Sequence, residues 1–169
     1  MLGTVHVVFA IAALILGATV VCRPKGGRRH RTLGYLYAVS LLSVNVSALS
    51  VYEDSAGVGP FHILAVVSLT TLLGGSIPAF LRLPASWWLD LHAYFMSWSY
   101  VGLVAAGAAQ LATMSSSLVG WFAVGLPSIL IGIIGGVLIH TRVPKILAAL
   151  ASGGRQPNEG LRPTRSACG

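Results

Sequence analysis

Five histidines, His6, His30, His62, His92 and His140, are the side chains of this sequence best suited to chemistry. Imidazole ligates haem iron, copper and zinc, and it titrates near neutral pH. Helical spacing groups polar and small residues with four of them. His30, Gly34, Tyr37, Ser40, Ser43, Ser47 and Ser50 recur every three or four residues, as do His92, Met96, Ser99, Leu103, Ala106 and Gln110. His6, Ala10, Ala13 and Gly17 form a third stripe, and His62, Val66, Leu69, Leu73 and Ser76 a fourth. Small residues let helices approach closely or leave room for a flat cofactor, and hydroxyls hydrogen-bond between helices.

The elements that must position these residues are membrane helices. Of 169 residues, 55% are hydrophobic and 9% charged, and the mean hydropathy is +0.81. A soluble domain carries about 25% charged residues, so the composition excludes a soluble enzyme, a disulfide-rich secreted module and a disordered chain. A spanning helix needs about 20 mostly apolar residues. Five stretches qualify: Gly3–Cys22, Leu33–Tyr52, Phe61–Leu81, Trp87–Met114 and Leu118–Thr141. The expected fold is an all-α integral membrane protein, a four-helix core bundle with a peripheral fifth helix. Residues 1–142 form the five-span domain and 143–169 a basic cytoplasmic tail, a short interfacial helix followed by disordered chain. Pro78 and Pro127 are expected to kink their helices.

The net charge of +7 would suggest nucleic acid in a soluble protein, but the cations fall into a pattern. Arg23, Lys25, Arg28, Arg29 and Arg31 lie in the first connection, Arg82 in the third, and Arg142, Lys145, Arg155, Arg162 and Arg165 after the fifth span. These are all eleven Lys and Arg. The positive-inside rule then sets the N-terminus outside and the C-terminus in the cytoplasm, with the lipid bilayer and no nucleic acid as partner. Cys22 and Cys168 fall on the reducing side, which argues against a structural disulfide. Trp87, Trp88, Trp98 and Trp121 are expected as belt anchors, and Tyr37 and Tyr100 as hydrogen-bonding groups in a pocket.

This topology sorts the histidines by depth. His6 and His62 lie near the outer ends of the first and third spans. His30 and His92 lie near the inner ends of the second and fourth. Two functional classes follow. Each pair could clamp a haem b iron, making one or two haems and an electron path across the membrane, with Arg28, Arg29, Arg31 or Arg82 pairing the inner propionates. A metal or proton site could instead use His30, His92 and His140 with Asp90. The chain would then be an electron carrier rather than a stand-alone enzyme. A different class is a non-catalytic accessory subunit of a larger membrane complex, using Gly132, Gly135 and Gly136 for helix contacts. Metal or small-molecule transport is a third reading.

Two segments carry a family resemblance. His30-Arg-Thr-Leu-Gly-Tyr-Leu-Tyr37 resembles the HR-x-x-G-x-x-Y signature of a bacterial multi-pass family catalogued as domain of unknown function 2306. His92-Ala-Tyr-Phe-Met-Ser-Trp-Ser-Tyr100 resembles its H-x-x-x-M-x-x-S-Y signature. His6, Gly17 and His62 also fall where that family tends to have them. The sequence departs at Ala93 and Trp98, where the family commonly has Arg. The resemblance implies the multi-pass fold and marks His30, Arg31, Tyr37, His92, Met96, Ser99 and Tyr100 as site residues, while assigning no activity. The alternation of histidine pairs is also similar to that of the ascorbate-reducible transmembrane cytochromes b.

Overall fold

The computed structural model describes residues 2–50, 59–115 and 121–153. Over these residues the protein is all-α, with five helices in chain order: α1 (Leu2–Cys22), α2 (Arg28–Ser50), α3 (Pro60–Leu81), α4 (Trp88–Ser115) and α5 (Trp121–Gly153). Each is long and apolar enough to cross a bilayer. The expected turns at 53–58 and 116–117, and the tail beyond Gly153, lie outside the described residues, as does Cys168. Cys22 is a free, exposed thiol.

α1 to α4 close into a bundle. Its central cluster takes Ala13 from α1, Tyr37 and Leu41 from α2, Leu72 from α3 and Leu103 from α4. α5 contributes nothing to that cluster and packs chiefly on α4. Gly135 lies against Val101 and Gly136 against Trp98, and a Cβ at Gly135 would fall 2.5 Å from Val101. The peripheral fifth helix is thus seated by two glycines. Those two glycines are spent on an internal contact, and Gly132 faces open space.

Two helices run past the expected apolar spans. α2 starts at Arg28, before the apolar run, where backbone rather than hydropathy sets the start. Gly26 takes φ +89, and the Arg31 amide bonds the Gly27 carbonyl at 3.2 Å. A positive φ is readily reached only by glycine. α5 continues beyond the expected span, through Pro144 to Gly153. Val143, beyond it, is buried. Trp98 lies about 15 Å along α4 from its start; its ring covers Gly136 and remains partly exposed.

The buried face of α3 also differs from the expected stripe. Ala65, Ser68, Leu72 and Gly75 face inward, while Val66 and Leu73 are exposed. In a bilayer the outer face is as apolar as the inner one, so hydropathy does not set the rotation of a helix. Small residues do.

Candidate functional site

The end of the bundle that carries the 23–27 and 82–87 connections, here the basic end, assembles the site. His30 stands in the first turn of α2 and His92 in the second turn of α4. Their ring centres are 6.5 Å apart and the rings are nearly perpendicular, at 88°. Nδ1 of His92 lies 2.9 Å from the carbonyl oxygen of Gly75, to which it donates as the protonated ring nitrogen. That bond fixes the tautomer and leaves Nε2 with a lone pair. Nδ1 of His30 is buried and makes no hydrogen bond.

The residues expected beside the histidines lie deeper along the same two helices. Tyr37 Oη and Ser99 Oγ are 2.9 Å apart, in a buried bond between α2 and α4. Ser99 Oγ also donates to the Met96 carbonyl at 2.8 Å. The Tyr37 and Tyr100 rings meet edge to face at 6.5 Å. Both press on Gly17 of α1, where a Cβ would overlap Tyr100 and fall 2.9 Å from Tyr37. Met96 packs on Gly75, whose added Cβ would lie 2.8 Å from it, and its sulfur accepts a weak bond from Ser76 Oγ at 3.8 Å. Phe95 covers Gly74 in the same way. Tyr37, Ser99, Met96 and Tyr100 therefore lock α1, α2, α3 and α4 at a fixed spacing, and the histidine pair stands on that platform.

Arg31 is exposed at the start of α2, and Arg82 caps α3 in the left-handed conformation, φ 54. Lys25 is used structurally. Its Nζ donates to the carbonyls of Val20, Val21 and Arg23 at 3.0, 2.6 and 3.0 Å, satisfying the last turn of α1. Burial holds its ammonium below the usual lysine range, and nearby Cys22 acts in the opposite sense.

The other expected residues divide. His6 Nδ1 is 2.8 Å from Ser47 Oγ, a bond between α1 and α2 at the far end. His62 is half-buried in the first turn of α3. His140 and Asp90 are both exposed, and among the described residues no three of His, Cys, Asp and Glu form a group that could hold a metal ion. The cluster of His30, His92 and His140 with Asp90 is thus not assembled. Gly75 was missed by the periodicity. Its signal is the Gly74-Gly75 doublet, where α4 comes close enough for a side chain to reach a main-chain carbonyl.

No curated protein and no solved structure matches the chain. A family model does, described as a predicted membrane protein (DUF2306), over residues 3–148. That range contains all five helices up to the last turns of α5, together with both signature segments of the histidine site, and the chain belongs to this family of multi-pass membrane proteins.

Proposed function

We propose that the protein is a membrane-embedded electron carrier that binds one haem b between His30 and His92. The approach of the two rings carries this reading. A metal–nitrogen bond of about 2 Å would let two imidazoles this close share one metal ion. The observed 6.5 Å fits. The bond from His92 to the Gly75 carbonyl is the outer-shell contact that orients a ligating histidine. The buried, unbonded Nδ1 of His30 gives its ring no competing partner at that atom.

When bound, haem b supplies a one-electron iron couple. His30 and His92 would hold it. Arg31 and Arg82 are cations at the same end, suited to propionates. Tyr37, Ser99, Met96 and Tyr100 hold the spacing of the ligand helices. The distribution of cations favours a cytoplasmic basic end in a bacterial inner membrane, with the N-terminus outside. Electrons would then be exchanged at the cytoplasmic face. His6, engaged with Ser47, is left out of the ligand set, and the proposal is for one haem.

The test is a reduced-minus-oxidised spectrum of the protein purified in mild detergent. We expect a b-type α band and about one haem per chain; its absence from folded protein would refute the proposal. The accessory-subunit reading draws on α5, where Gly125 and Gly132 both face open space and leave room for a foreign helix. A stoichiometric large partner on mild solubilisation, with no haem band, would favour it.

A further inference from the structure

We propose that the turn between α1 and α2 is a binding site for a phosphate group. The turn borders an open hollow of about 360 Å³, lined by Arg23, Pro24, Lys25, Gly27, Arg28, Arg29 and His30. Arg23, Arg28 and Arg29 also line a second hollow of about 300 Å³, with Thr32 and Leu33. Either volume far exceeds the roughly 30 Å³ share of a water molecule and accommodates a phosphate with a substituent.

The turn brings these cations together for a backbone reason. Gly26, at φ +89, reverses the chain two residues before α2 begins at Arg28. Arg23 is thereby set against Arg28 and Arg29. None of the three guanidinium groups makes an ion pair or a side-chain hydrogen bond among the described residues, and Asp90, the one acid described, is exposed at the start of α4. Lys25 differs, because its three protons are taken by the carbonyls of Val20, Val21 and Arg23. The cluster therefore separates into one cation that closes a helix and three like charges that line the same hollow. An anion balances those like charges. The first amides of α2 add the positive end of the helix dipole at the same place.

A phosphate fits better than a carboxylate or chloride. It offers several oxygens to three planar forks that bond bidentately. Its source is a lipid headgroup or a soluble phosphate compound. The inference does not depend on what the histidine pair holds, and its readout is not spectral.

The experiment measures thermal unfolding of the full chain in neutral detergent at constant ionic strength. One arm titrates inorganic phosphate against chloride. The other titrates dihexanoyl phosphatidylglycerol against dihexanoyl phosphatidylcholine. A saturable rise in Tm with phosphate supports a soluble source; a rise with phosphatidylglycerol alone supports a headgroup. Either should be lost in Arg28→Gln/Arg29→Gln and kept in Arg142→Gln/Lys145→Gln, which removes the same charge elsewhere. Should the first variant not fold, Arg28→Lys/Arg29→Lys decides, since it keeps the charge and loses the forks. Its affinity should fall roughly tenfold. No saturable shift in either arm overturns the site. So does an equal loss in the control variant, or unchanged affinity with lysine.

Discussion

The two ends of the bundle contain similar residues and use them differently. At the basic end, Gly17, Gly74 and Gly75 each admit an aromatic or methionine side chain, Tyr37 and Ser99 satisfy each other, and the histidines face each other across α2 and α4. At the far end, His6 bonds Ser47, but the amide nitrogen of Asn45 and the hydroxyl of Ser68 are buried without hydrogen bonds, and Gly107 barely meets Leu14, at 4.0 Å. Depth and residue type are matched; packing is not. Close interlock fixes the distance between two ligand-bearing helices, which a redox or binding site needs. A histidine bonded to one neighbouring serine ties two helices together and needs nothing further.

The largest test of this contrast is His92→Ala. It should remove the haem band entirely, and His30→Ala should do the same, whereas His6→Ala should leave it. Loss in His6→Ala with the fold intact would equate the two ends and end the contrast. Next comes overpacking. Gly17→Leu must displace Tyr100 and Tyr37 and should cost about 3 kcal/mol, measured by denaturation in detergent. Gly102→Ala, where nothing lies within 4 Å, should be neutral or stabilise by up to about 1 kcal/mol. A smaller difference is expected for buried polar groups. Tyr37→Phe removes a made bond and should cost about 1 kcal/mol, while Asn45→Leu removes an amide whose nitrogen is unbonded and should cost less. The reverse order would place the rigid region at the far end. The smallest effect belongs to the His6–Ser47 pair, for which a double-mutant cycle should give a coupling of about 0.6 kcal/mol.

The five spans, the four-helix core and the peripheral α5 were legible because length and hydropathy are strong signals in a membrane chain. So was the inner pair: depth matching alone joined His30 to His92. What hydropathy does not encode was missed. The rotation of α3 followed Ala65, Ser68 and Gly75, not the leucines chosen for it. The start of α2 was set by Gly26 and Gly27 within a run that reads as uniformly basic. Gly75 entered the site through its carbonyl, and a main-chain atom leaves no mark on residue type. The three-histidine cluster failed because His140 rides on the helix that packs outside the core.

α5 has a mechanical consequence. Its 33 residues measure about 50 Å along the axis, against roughly 30 Å of hydrocarbon. Val143 is buried and the helix continues through Pro144 beyond residue 142. The excess length is taken up by tilt or by helix outside the hydrocarbon. A load applied at Gly153 would act through a lever hinged on the Gly135–Val101 and Gly136–Trp98 contacts, and so on α4, the helix that carries His92.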